Sequence, residues 1–236
     1  MINLRQRSYQ KELLDANDIS FADIAQNLKE LNFINTWLGG HLITLKGVKQ
    51  LSNANKTLTI CEIGCGGGDN LFAIHNWCTQ KNIAAHFIGI DMNDECIAFA
   101  QKQYPQLFCQ WICSDYGKVQ FTENKPGIIF SSLFCHHFTD EQLIKMLQWL
   151  KQNSQDGFFI NDLHRHWLAY YLIKWLAKVF SRSYMLKNDA PLSVARGFKK
   201  KELQYLFNQA GIKNVSIHWK WAFRWLLIVK NKNQNG

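Results

Sequence analysis

From Thr57 onward the chain alternates short apolar runs with segments of helical periodicity. TLTICEI (57–63), AHFIGI (85–90), FCQWIC (108–113), GIIFSSLF (127–134) and GFFIND (157–162) are rich in β-branched and aromatic residues, which predicts strands. Helices are predicted between them near 69–81, 93–103 and 140–153. Such alternation implies a parallel sheet with crossover helices, an open doubly wound α/β sheet. KKELQYLFNQAG adds a late helix, and residues 212–218 and 223–230 form two closing strands joined by a tight connection. Upstream, the first fifty-odd residues read as helices. Ser20 with Asp23 resembles an N-terminal cap, and Ile24, Leu28, Leu31, Ile34 and Leu38 recur at helical spacing before Gly39-Gly40. The expected organisation is a helical cap over 1–56 and a core over 57–236 that carries a lid insertion at 164–197.

Composition adds bounds to this pattern. A chain of 236 residues with 47% apolar content supports one domain of ordinary size. No leader-like opening is seen, and no apolar run reaches the roughly 18 uncharged residues that span a bilayer, so a cytoplasmic protein is expected. Seven cysteines lie at 61, 65, 78, 96, 109, 113 and 135 without a CxxC pair, and read as buried thiols rather than a disulfide framework or zinc site. The net charge of +9 suits nucleic acid or an anionic membrane surface. The lysines are nevertheless spread singly, except for Lys199-Lys200-Lys201, which reads as a solvated helix start.

CEIGCGGGDN (61–70) carries the first chemistry. Gly64, Gly66 and Gly68 alternate at the end of the first strand, where they let backbone approach a ligand and let the next helix present its N–H groups. A dinucleotide fingerprint would read GxGxxG. Here the spacing is ExGxGxG, with Glu62 two residues before Gly64. A carboxylate beside the turn is unwelcome to a pyrophosphate and suits a ligand bearing an ammonium group, such as S-adenosylmethionine. Asp91 ends the second strand, where a ribose needs an acceptor, and Ser114-Asp115-Tyr116 ends the third, where Asp115 can accept from an adenine amino group and Tyr116 can flank the ring.

EIGCGGGDN, GIDMND and CSDY together resemble the successive cofactor motifs of class I S-adenosylmethionine-dependent methyltransferases. The resemblance spans roughly residues 57–230 and implies a Rossmann-like, seven-stranded, mostly parallel sheet whose last strand is antiparallel. It also implies that Glu62, Gly64, Gly66 and Gly68 hold the amino-acid part of the cofactor, Asp91 the ribose and Asp115 the adenine. Cys65, Met92, Tyr116 and Ser132 are the expected neighbouring contacts. Outside the core, ELLDANDISFADIAQNLKELNFINTWLGG, INDLHRHWLAYYLIKWLA and PLSVARGFKKKEL resemble bacterial methyltransferases encoded beside type III polyketide synthases. That likeness implies a phenolic or quinone-like acceptor.

Methyl transfer requires alignment, desolvation and, for a hydroxyl nucleophile, a base. The candidates follow strands four and five: His136 and His137 in SLFCHHF, and Asp162 in INDLHRH. His137 is the favoured base, with Asp162 available to orient it or to cap a helix. Two consecutive histidines at an extended end cannot point the same way, so the other packs or caps. His164, His166 and Arg165 can bind a phenolate or carboxylate or form a basic helix start. A metal is not expected, because the cluster offers mostly imidazole. WLAYYLIKWLAKVF (167–180) reads as a lid helix with Tyr171 and Trp175 toward an aromatic acceptor, or as a peripheral membrane contact. In HWKWAFRW, Trp219, Trp221, Phe223 and Trp225 share one strand face, where core packing is expected. The leading reading is transfer to a small aromatic or polyketide-like acceptor, at oxygen before carbon. No nucleic-acid partner is expected, since FSSLFCHHF lacks the proline pair that base-amino methylators carry there. The alternatives are an RNA methyltransferase, which the basic balance permits, and a protein that binds the cofactor without catalysis; the oligomeric state is not indicated.

Overall fold

The computed structural model describes residues 3–15, 19–52, 56–121 and 124–231. Seven strands form one sheet: β1 (Leu58–Ile63), β2 (Ala85–Asp91), β3 (Cys109–Cys113), β4 (Ile128–Ser132), β5 (Gly157–Leu163), β6 (Val215–Lys220) and β7 (Arg224–Lys230). Their order is β3-β2-β1-β4-β5-β7-β6. The first five are parallel, β7 runs antiparallel to β5, and β6 closes the edge antiparallel to β7. This is the Rossmann-like seven-stranded sheet that the apolar runs and motifs predict.

The inner strands are buried on both faces, so their alternating side chains feed two cores. Ile63, Ile129, Phe158 and Leu227 face α5 (Asp140–Asn153) and α8 (Lys200–Gln209) through Leu143, Met146, Leu150, Leu206 and Phe207. Ile60, Phe130, Phe159 and Ile228 face the opposite layer through Ile43 and Val48 of α2 (Gly40–Leu51) and Leu71 and Ile74 of α3 (Asp69–Gln80). Five of the seven unpaired cysteines are buried with these apolar side chains. The chain reverses direction across the sheet between β1 and β4, and the carboxyl ends of those two strands open a crevice at the switch point.

Ser20 caps α1 (Phe21–Trp37) by accepting from the Asp23 N–H, as its spacing predicts. Ile24 and Leu28 bury against Cys96 and Phe99 of α4 (Asp94–Gln103). The residues before α1 differ from the helical expectation: apart from one 3-10 turn at Leu13–Asp15, residues 3–12 run without regular structure. They are held by side chains instead. The buried Arg7 donates to the Arg196, His136 and Phe138 carbonyls and pairs with Asp140. The Leu13 and Leu14 N–H groups donate to Asp189.

The segment after β5 forms α6 (Trp167–Phe180) and α7 (Tyr184–Arg196). Only Ala169 and Ala177 of α6 are buried. The core expectation for HWKWAFRW fails in part: the turn at 221–223 interrupts the alternation and β6 is an edge strand. Trp225 is buried, whereas Trp219 and Trp221 stand exposed.

Candidate active site

A cavity of about 1160 Å³ fills the crevice at the switch point. Its floor is the loop between β1 and α3. Gly64 and Gly66 adopt φ of 64° and 49°, a region that glycine enters without strain. At Gly64 a Cβ would lie 2.2 Å from the Phe134 ring, so the residue must be glycine for the loop after β4 to close over it. The Asp91 carboxylate at the end of β2 clamps this loop from the side, accepting from the Gly66 N–H at 2.8 Å and the Asn93 N–H at 2.9 Å. Burial pushes the Asp91 carboxyl up, against the pull of those donors. Cys65 ties the loop to β2 through its N–H to the Ile90 carbonyl.

Glu62 is fully buried at the end of β1 and lines the cavity. One oxygen accepts from Asn70 at 3.0 Å, and Oε2 has no partner among the described residues. Burial, reinforced by the neighbouring Asp69 charge, pushes its carboxyl well above the usual range. Asp69 behaves oppositely: burial is outweighed by His41 at 2.8 Å and by Asn35 at 3.2 Å, and its carboxyl is held low. Asn70 continues a buried network through Thr44 and Asn161 to Ser132 at the end of β4. At the end of β3, Asp115 accepts from the Gly117 N–H and lines the cavity beside Ser114 and Tyr116. The Tyr116 ring packs edge-on against Phe134, Phe138 and Trp149. Met92 lies on the rim, largely exposed.

These residues fit S-adenosylmethionine on an observation internal to the fold. A buried carboxyl with an unpartnered oxygen, beside a second carboxylate and the start of a helix, offers an ammonium group a partner and a carboxylate a set of N–H donors. Asp91 and Asp115 each retain lone pairs for hydroxyl or amino donors.

The wall opposite the glycine loop carries the two histidines. They sit in a 3-10 turn, Cys135–His137, rather than on an extended strand end, and their ring centroids are 4.4 Å apart. His136 is buried and His137 lines the cavity. His136 Nδ1 lies 2.8 Å from Asp162 Oδ1, and its N–H donates to Asp162 Oδ2. Its Nε2 lies 3.5 Å from Glu12 Oε1. Burial opposes the imidazolium, but Asp162 and Glu12 overcome it and push His136 up to about 9. Asp162 is correspondingly held low, against its burial, by His136. Asp162 therefore partners His136 rather than His137. His137 Nε2 instead lies 3.8 Å from Glu12 Oε2.

Glu12 is the residue that the sequence reading missed. It reaches the site from an irregular segment, and no local periodicity marks it. Its carboxyl is held low: burial is outweighed by His136, His137 and the Ser193 hydroxyl. Donor atoms of Glu12, His136 and His137 come within 4.8 Å of one another, close enough for a metal ion. Arg196 Nε at 3.9 Å from Glu12 and the Asp162–His136 pair already balance this cluster as an ion-pair network.

Five residues expected to meet the acceptor are placed elsewhere. Arg165 is buried under the N-terminal segment, donating to the Gly197, Leu4 and Arg5 carbonyls and pairing with Glu202. His164 accepts from the Trp219 indole at 3.3 Å, and His166 caps α6. Tyr171 and Trp175 are half exposed on the outside of α6. None of the five lines the cavity.

Comparison with known proteins adds what the chain is similar to. The model of a methyltransferase domain matches residues 60–157. No curated protein sequence matches the chain. Among solved structures, the plantazolicin methyltransferase BpumL in complex with SAH is 19% identical, with a TM-score of 0.65 over 90% of this chain and 89% of that one. A SAM-dependent methyltransferase from Aquifex aeolicus is 17% identical, with a TM-score of 0.60 over 90% and 99%. Magnesium protoporphyrin IX methyltransferase (ChlM) from Synechocystis, with bound SAH, is 13% identical, with a TM-score of 0.53 over 92% and 90%. These likenesses are of fold alone. The strand-end acids, the glycine loop and the match over residues 60–157 converge on one statement: this chain carries a methyltransferase domain, that of an enzyme whose methyl donor is S-adenosylmethionine.

Proposed function

We propose that the enzyme methylates a small aromatic, quinone-like or polyketide-like acceptor, at oxygen in preference to carbon. The observation that carries this reading is the composition of the cavity. Its 1160 Å³ exceeds the roughly 300–1,000 Å³ of a pocket for one drug-sized ligand, leaving space for an acceptor beside the cofactor. Tyr9, Leu14, Ile19, Phe134 and Phe138 supply an apolar and aromatic wall around His137, the one imidazole among the described residues lining it. The same cavity is lined by Glu62, Asp69, Asp91, Asp94, Glu95 and Asp115 against Lys11, Lys145 and Arg196, a balance that repels a phosphate backbone and disfavours RNA.

S-adenosylmethionine supplies an electrophilic methyl carbon on a positively charged sulfonium. Glu62, Asp69 and the glycine loop would hold its amino-acid end, Asp91 its ribose, and Asp115 with Tyr116 its adenine. The remaining work falls to the chain. The aromatic wall orients a flat acceptor and excludes water, which contributes alignment. His137 accepts the proton of an acceptor hydroxyl, and the Glu12 carboxylate near its Nε2 stabilises the imidazolium that forms. His136, held as a cation between Asp162 and Glu12, acts as a fixed strut rather than a base. Solved structures of BpumL in complex with SAH and a monoazolic desmethylPZN analog show a protein of this fold holding both ligands together.

A tritiated-methyl assay with a panel of phenols, hydroxyquinones and total RNA tests the reading. Saturable labelling of a phenolic compound is expected. Labelling confined to RNA would overturn it.

A further inference from the structure

Helix α6 turns its aromatic residues outward. With 3.6 residues per turn, Trp167, Tyr171, Trp175, Leu168, Val179 and Leu172 fall within an arc of about 140°, with Lys174 and Lys178 at its margin. All six large residues are exposed, Trp175 by 58%. The opposite side, which meets α7, buries Ala169 and Ala177 and half-buries Tyr170, Ile173 and Leu176. The apolar face does not stop at the helix. The Trp167 ring meets His166, His166 stacks on Phe223 at 5.0 Å, and Phe223 meets Trp219 in the β6–β7 hairpin. At the hairpin tip Trp221 is exposed by 66%. At the other end of α6, Ser181, Arg182 and Ser183 bind Glu30 of α1, and Phe33 and Trp37 lie exposed three and seven residues beyond that anchor. An apolar face of this breadth marks an interaction surface.

Its charge selects the occupant. Residues 163–188 contain no Asp or Glu, and neither does the chain after Glu202, while the same stretches carry Lys174, Lys178, Arg182, Lys187 and Lys220. Tryptophan and tyrosine beside lysine, with Glu30 taken up by Ser181, Arg182 and Ser183, complement an interface of acyl chains below anionic headgroups. A second copy would bring five like charges against five. We propose that α6 and the β6–β7 hairpin seat the enzyme on the surface of an anionic lipid bilayer, α6 lying in the plane of the headgroups. At 14 residues the helix is about 21 Å long, too short to span the roughly 30 Å hydrocarbon core. No helix among the described residues is long and apolar enough to cross.

The test is cosedimentation of the full chain with phosphatidylcholine vesicles and with phosphatidylcholine–phosphatidylglycerol vesicles, with light scattering on the vesicle-free protein. Binding is expected to be at least tenfold stronger to the anionic vesicles and to weaken with salt. The double substitution Tyr171→Glu, Trp175→Glu should lower that partition at least tenfold while leaving SAH affinity and the melting temperature unchanged, since neither residue lines the cavity or is buried. Lys174→Glu with Lys178→Glu should abolish the preference for anionic vesicles. Absence of sedimentation with anionic vesicles, or a double variant that sediments like the parent, would overturn the proposal. So would a dimer in solution that the Tyr171→Glu, Trp175→Glu change dissociates, because the face would then be covered by a second copy.

Discussion

Replacing Asp162 by Asn removes a buried charge while keeping the side chain's shape and one acceptor for the His136 N–H. The magnitude follows from the imidazole. A rise from the ordinary 6.5 to about 9 corresponds to about 3 kcal/mol of preference for the folded state. That agrees with the ~3–5 kcal/mol lost when one partner of a buried pair is removed. The sign is set by the direction of the change. A histidine raised on folding contributes fully below its unfolded pKa near 6.5, and its contribution is lost as the pH rises through about 9. Asp162 is lowered, so its side of the same interaction is present above the ordinary carboxylate range and lost in acid. The pair therefore acts most strongly between about pH 5 and 6.5. Guanidinium melts of parent and Asp162→Asn at pH 6 should differ by about 3 kcal/mol, and thermal melts by about 6–12 °C for a chain of this size. At pH 10 the gap should shrink to about 1 kcal/mol, the worth of a neutral hydrogen bond. A gap that is equal at both pH values, or smaller than about 1 kcal/mol at pH 6, would refute the charged pair.

His137→Ala should lower the rate at saturating substrates by about 10²–10⁴-fold while leaving the SAH dissociation constant within about twofold; a loss of less than about threefold would reject it as the base. Gly64→Ala should push the Phe134 ring aside, costing about 1–3 kcal/mol in denaturant melts and weakening cofactor binding, because its Cβ would lie 2.2 Å from that ring. Arg165→Met should lower the melting temperature without changing acceptor KM, since Arg165 fastens the N-terminal segment and does not reach the cavity; a change in KM alone would return it to the acceptor site.

The parallel strands were legible because each is a run rich in β-branched and aromatic residues that stops at Gly, Asp or Ser, and the inner ones are buried on both faces. The acids Glu62, Asp91 and Asp115 were legible for a related reason: strand ends of a parallel sheet converge, so residues at equivalent positions in separate motifs meet. The outer face of α6 was not. Periodicity shows that a helix has a buried side without saying which, and here Ala169 and Ala177 are the buried residues while Trp167, Tyr171 and Trp175 face out. The N-terminal share of the site was also hidden. Arg7 and His136 are separated by 129 residues, and Glu12 lies in a segment with no regular structure to mark its direction. His136 and His137 are adjacent in the sequence, and only the 3-10 turn separates a buried imidazole from a cavity-lining one.

Isothermal calorimetry of the full chain with S-adenosylhomocysteine, alongside Asp91→Ala and Gly66→Val, bears most directly on the central claim that the crevice at the ends of β1 to β4 is the cofactor site. One ligand should bind per chain. Asp91→Ala should weaken it about tenfold to a hundredfold, the loss of roughly 1.5–3 kcal/mol expected for a hydrogen-bonding carboxylate. Gly66→Val should show no binding heat with its circular dichroism intact, because a branched side chain would enter the cavity from a backbone at φ of 49°. A parent chain that gives no heat with S-adenosylhomocysteine, or variants that bind as the parent does, would contradict the assignment.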